Sequence, residues 1–142
     1  MAAAIHVVTL AVTDLQRSLA FYRDGLGLST EGVIGTEFVG DESTPAGAVA
    51  MFTLSGGLIL SLYPRSELTK DSGTAIASGG SAMSLGHTVD SRGDVDRVLQ
   101  LAVRAGGTAL GEPHERPWGI YSGYFTDPDE HLWEVVYFLP RG

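Results

Sequence analysis

One acid interrupts the apolar run "LWEVVYF" near the end of the chain: Glu134, on the second arm of a hairpin that turns at "DPDE". A carboxylate there is costly unless it is solvated, paired or hydrogen-bonded. Three uses compete. It can share a hydrogen bond with Ser61 or Ser84, anchor a cationic or hydroxyl-bearing ligand, or act as a general base with a raised pKa, the last making a metal-free isomerase or lyase. The chain has no cysteine and four histidines, so a metal would need imidazole and carboxylate ligands. His114 and His131 show no ligand-pair spacing and read as surface or turn residues, with "EPHER" a solvated loop. Trp118, Tyr121 and Tyr124 cluster in "RPWGIYSGY", and Tyr63 ends the run "LILSLYP". Aromatic walls with few polar anchors suit a flat, partly apolar ligand. No phosphate-binding glycine loop, Walker pattern or nucleophile elbow is present.

The elements that must position these residues follow from periodicity. "IHVVTLAV" (Ile5 to Val12) reads as a buried strand, and Asp14 caps a helix that places Leu15, Leu19, Tyr22 and Leu26 on one face before the stop at Gly25 to Gly27. Strands are expected at "GTEFVG" (35–40), "AVAMFTL" (48–54) and "LILSLYP" (58–64), the last two joined by a glycine hairpin. The Ser/Gly/Thr-rich stretch 68–81 has the composition of a flexible linker between a first module (1–67) and a second (82–142). After it the order repeats. A strand in "SLGHTVD" precedes a helix capped by Ser91 with Asp94, with Val95, Leu99 and Ala102 on its inner face. A short strand "GTALGEPH" (107–114), a loop "ERPWGIY" (115–121) and the final hairpin complete it. The fold class is α+β: two tandem strand-helix-three-strand modules in one domain. Ser61 and Glu134 occupy equivalent places in the two fourth strands, and Trp133 alternates away from Glu134 toward the helix.

Composition bounds the partners. A 142-residue chain that is 44% hydrophobic can bury a real core. A formal charge of −8 and a pI near 4.7 argue against nucleic acid and anionic membranes, which demand a basic footprint. The start "MAAAIHVVTLAVTD" lacks the basic flank and cleavage site of a signal peptide, and a cytoplasmic location is expected.

With "VTLAVTDLQRSLAFYRDGLGL" near the start and "GYFTDPDEHLWEVVY" at the end, the chain resembles the vicinal oxygen chelate superfamily, which includes glyoxalase I, bleomycin-resistance proteins, fosfomycin-resistance enzymes and extradiol dioxygenases. The resemblance implies curved mixed sheets around a small-molecule cavity and a homodimer. It also implies a divalent metal held by one inward side chain from the first and fourth strands of each module, typically His, Glu, His and Glu. Carried over position by position, these sites read Val7, Ser61, Ser84 and Glu134. His6 and His87 are offset by an odd number of residues and point to the opposite faces unless a bulge shifts the register. No metal and no other cofactor is therefore expected.

The expected function is binding of a small aromatic or polycyclic molecule, as in a drug-sequestering resistance protein. Val7, Thr9, Ser61, Tyr63, Ser84, Trp118, Tyr121 and Glu134 are the candidate ligand-binding residues. The alternatives are a metal-dependent lyase, isomerase or dioxygenase with an unexpected ligand set, and a metal-free acid–base enzyme using Glu134 as its catalytic residue. "DPDE" has Glu130 where the resemblance favours glycine, which implies a different turn or strain.

Overall fold

The computed structural model describes residues 3–141, and the chain divides between Ser78 and Gly79 into two compact units. In the first, the β-branched run forms strand β1 (Val7–Val12). Asp14 ends it with extended backbone, and its carboxylate accepts the Arg17 N–H at 3.0 Å, capping helix α1 (Leu15–Leu19). The helix widens into a π-helical stretch, Ala20–Gly25, whose exit is marked by the Leu26 N–H on the Phe21 carbonyl and by Gly27 in the left-handed region. Strands β2 (Thr30–Ile34), β3 (Val49–Thr53) and β4 (Ile59–Pro64) complete a mixed sheet of order β1-β4-β3-β2, with β1 and β4 parallel. Alternation sends Leu10, Val12, Ala50, Phe52, Leu60 and Leu62 to the helix side, where they are buried with Leu19, Phe21 and Tyr22. Tyr22 and Phe52 meet there, ring centroids 6.0 Å apart.

The second unit repeats the plan. Strand β5 (Ser84–Thr88) leads to helix α3 (Arg92–Arg104), then β6 (Thr108–Arg116), β7 (Ile120–Thr126) and β8 (Leu132–Phe138), in the order β5-β8-β7-β6. Ser91 caps α3 by accepting the Asp94 N–H at 3.0 Å. The expected inner face, Val95, Leu99 and Ala102, is buried with Phe125 and Val135. Trp133 stacks on Phe125 at 5.9 Å on this helix side of the sheet. Both units are thus four-stranded mixed sheets with helices, in the α+β tandem arrangement.

Several expected boundaries move. The second strand lies at Thr30–Ile34, not at "GTEFVG". Gly35 and Gly40 both take left-handed backbone, and a Cβ on Gly35 would lie 2.3 Å from the Gly47 carbonyl oxygen, so this stretch turns instead of extending. The segment expected as a linker from Leu68 begins inside a third helix, α2 (Arg65–Ser72), which follows β4 directly and ends at left-handed Gly73. "ERPWGIY" is mostly strand: β6 runs on to Arg116, turns at Gly119 (φ 88°) and resumes as β7. Glu130 adopts φ 67°, the left-handed value that glycine would take freely, and its N–H closes the turn onto the Asp127 carbonyl at 3.0 Å. No described helix is long and apolar enough to cross a membrane.

Candidate functional site

Glu134 lies in the middle of β8, directly opposite Tyr124 on β7 and Gly86 on β5. Paired residues of adjacent strands share a face, so Ser84, Glu134, Tyr124 and Ser122 all project away from α3. Ser122 is fully buried, and its hydroxyl donates to Glu134 Oε2 at 2.9 Å. The Ser122 hydroxyl oxygen in turn accepts the Arg116 Nε–H at 3.1 Å, and Arg116 Nη2 reaches the Ser122 carbonyl at 3.3 Å. Ser122 therefore stands as a hydroxyl bridge between a carboxylate and a guanidinium.

The chain of contacts continues outward. Arg116 Nη1 hydrogen-bonds His114 Nε2, and His114 Nδ1 meets the Glu112 carbonyl at 3.1 Å. A guanidinium only donates, so His114 Nε2 accepts. The Arg116 guanidinium also lies 5.8 Å over the Tyr124 ring. Burial pushes the Tyr124 phenol above its ordinary value. The charge of Glu134 and a hydrogen bond to it add to the rise, and Arg116 opposes it. Glu134 thus sits among a hydroxyl, a phenol and a nearby cation, which answers the cost of placing an acid in an apolar strand.

In the first unit the corresponding face is built by register. Val7 pairs with Ile59, Thr9 with Ser61 and Ala11 with Tyr63, which brings the expected residues Val7, Thr9, Ser61 and Tyr63 onto one side of the sheet. Ser61 is buried there, whereas Val7 is half exposed. Tyr63 donates its hydroxyl to the Ala46 carbonyl. Burial raises its phenol, with Asp71 and Glu67 contributing.

Two expected residues fall elsewhere. Tyr121 is one position off the Glu134 face and points to the helix side, where its hydroxyl donates to Asp96 at 2.8 Å and the Arg92 guanidinium lies 5.2 Å from its ring. Trp118 sits in the β6–β7 turn, 72% exposed, because the tight reversal at Gly119 leaves no loop to fold it inward. The residues missed are Ser122, Arg116 and His114. Their signal was the alternation of His114 and Arg116, hidden by the glycine and proline of "GEPHERP".

The four metal-ligand positions implied by the resemblance, Val7, Ser61, Ser84 and Glu134, offer one carboxylate, one aliphatic chain and two hydroxyls. That donor set does not fit a divalent metal, which needs three or more imidazole or carboxylate ligands. Among the described residues no three His, Asp or Glu side chains converge as metal ligands would. A bulge does not restore a histidine. The β1–β4 and β5–β8 pairings are regular, and the irregularities fall in β2–β3 and β6–β7. His87 pairs with Val135, away from Glu134, and His6 precedes β1 with its carbonyl accepting the Ile59 N–H.

The family model of the Glyoxalase/Bleomycin resistance protein/Dioxygenase superfamily matches residues 4–135. The chain belongs to this superfamily. Among solved structures, this glyoxalase-superfamily chain is similar to a glyoxalase-related enzyme from Fulvimarina pelagi, at 28% identity and a TM-score of 0.77, covering 96% of this chain and 88% of that one. It is also similar to a glyoxalase/bleomycin resistance protein/dioxygenase from Nocardioides (22% identity, TM-score 0.76, 100% and 87% covered). A lactoylglutathione lyase from Agrobacterium tumefaciens shares the fold at 24% identity and a TM-score of 0.68, with 95% and 93% covered. No curated protein matches the sequence.

Proposed function

We propose that this glyoxalase-superfamily chain binds a small aromatic or polycyclic molecule without a metal, sequestering it in the manner of a resistance protein. The observation that carries the reading is the state of Glu134. It is the one acid among the four superfamily ligand positions, and its hydrogen bonds come from Ser122 and Tyr124. A carboxylate held this way, with Arg116 two bonds off and the Tyr124 ring beside it, offers an acceptor, a cation and an aromatic wall to a ligand. Tyr124 and Arg116 take the places first given to Tyr121 and Trp118. Ser84 lies on this same face of the second unit, and Val7, Thr9, Ser61 and Tyr63 are the ligand-binding candidates on the corresponding face of the first unit. The protein works as a cytoplasmic homodimer.

Native mass spectrometry of the untagged protein as purified tests this directly. The expected spectrum is a dimer free of divalent metal that carries an organic adduct, and Tyr124→Ala loses the adduct while Trp118→Ala keeps it. One stoichiometric divalent ion per site would overturn the reading. Turnover abolished by Glu134→Gln in a folded protein would replace binding with metal-free acid–base catalysis.

A further inference from the structure

The second unit carries a cleft of about 710 Å3 on the side of its sheet opposite Glu134, between the later turns of α3 and strand β6. That volume is in the range of small-ligand pockets, about 300–1,000 Å3. Its shape originates in β6. The β6–β7 register slips between Leu110 and His114, Gly111 takes φ 72°, and a strand bulged in this way bends. Gly123 supplies the floor. A Cβ there would stand 2.6 Å from Leu99 Cδ1 and 3.1 Å from Pro113 Cβ, so its hydrogen lets those two side chains close over the sheet as an apolar base. Val103 and Ala109 extend the apolar wall, and Tyr121 closes one end with its hydroxyl on Asp96.

The charges around the cleft leave a definite remainder. Arg92 is paired with Glu115 and Arg97 with Asp94. Arg104, which lines the cleft, stands in the last turn of α3, where the negative end of the helix already favours a cation. Among the described residues, Asp96 accepts the neutral Tyr121 hydroxyl, and neither it nor the Glu112 carboxylate, the second acid of the lining, forms an ion pair. An acidic corner beside an apolar floor matches an ammonium group on an apolar body, and the net charge of −8 draws the same sign of ligand.

We propose that this cleft is a second binding site, separate from the Glu134 face, for an amphiphilic organic amine. The ammonium sits between Glu112 and Asp96, and the apolar body lies over Leu99, Pro113 and Val103. The experiment is a titration of the full chain, followed by two-dimensional 1H–15N NMR, with 4-phenylbutylamine and with the matched neutral alcohol and carboxylate, 4-phenylbutanol and 4-phenylbutanoate. The amine is expected to shift the amides of residues 96–104 and 109–113 saturably and to bind at least about fivefold tighter than the alcohol, with the carboxylate weakest. Glu112→Gln is expected to bring the amine down to the alcohol's affinity, and Gln100→Trp, which fills the cleft from the helix, to abolish both. The same spectra report whether each variant is folded. Equal binding of the three probes, saturable shifts centred on Ser122, Tyr124 and Glu134, or no saturable shift would each overturn the proposal.

Discussion

The acid that stands out in the last strand is coupled to one particular tyrosine. The Tyr124 phenol is raised first by burial and then by the charge and hydrogen bond of Glu134, so the two groups report on each other. Glu134→Gln removes a negative charge that disfavours tyrosinate. The expected outcome is a lower Tyr124 pKa, moved back toward the ordinary phenol value, read by pH titration of 13C-labelled tyrosine in the NMR spectrum. Tyr121, whose partner is Asp96, is expected to titrate unchanged in the same variant and serves as the internal control. An unmoved Tyr124 would mean that Glu134 does not hold this geometry in solution. Glu134 was legible in the sequence because an acid in an apolar strand is rare. Ser122 was not, since a serine beside a glycine reads equally as turn or strand, and its role depends on which cross-strand neighbour register gives it.

Elements built from local periodicity matched their expectation best, and those governed by close backbone approach matched least. The inner face of α3 and its Ser91 cap follow from residue spacing alone. The turn that displaces "GTEFVG" depends on Gly35 meeting Gly47, a contact across eleven intervening residues that no local pattern encodes. Gly123 is the sharpest case of the second kind. Gly123→Ala puts a methyl group into Leu99 and Pro113, and overpacking of this sort costs about 1–3 kcal/mol. Urea unfolding is expected to show a lower midpoint with an unchanged slope, and displaced NMR signals along α3. Helix α2 gives a prediction in pH. The Glu67 carboxylate accepts the Ala46 N–H at 2.9 Å and is joined by Ser66 and Lys70, which together hold its pKa at about 2 against an ordinary 4.5. A folded-state pKa below the unfolded one adds stability above the unfolded value, and this is lost as pH falls from about 4.5 toward 2. Glu67→Gln is therefore expected to show a shallower loss of stability over that acid range than the parent chain, measured by unfolding at a series of pH values.

At the scale of the whole molecule, the order of elements was readable twice over because each unit satisfies its own hydrophobic periodicity. What composition misjudged is where ordered structure stops. The polar run after Leu68 begins as helix, because the left-handed turn at Gly73 and the Gly73 N–H on the Thr69 carbonyl give α2 a proper end. Beyond it, residues 73–82 are almost all exposed and carry no regular structure. Apart from short-range bonds at Thr74 and Ser81, this segment is held by the Arg65 Nε–H on the Ala77 carbonyl at 3.1 Å and the Gly80 N–H on Glu130 Oε2 at 2.9 Å among the described residues. Exposed hydrogen bonds of this kind each contribute about 1 kcal/mol or less, so opening here costs far less than unfolding either sheet. Limited digestion with subtilisin is expected to cut first between Gly73 and Ala82, giving two fragments of unequal length whose masses locate the break. Glu130→Ala removes the acceptor for Gly80 and is expected to speed that first cut. A first cut inside the exposed stretch 37–44 would instead show that this turn, for all its Asp41 hydrogen bonds to Ser43 and Thr44, opens more easily than the junction.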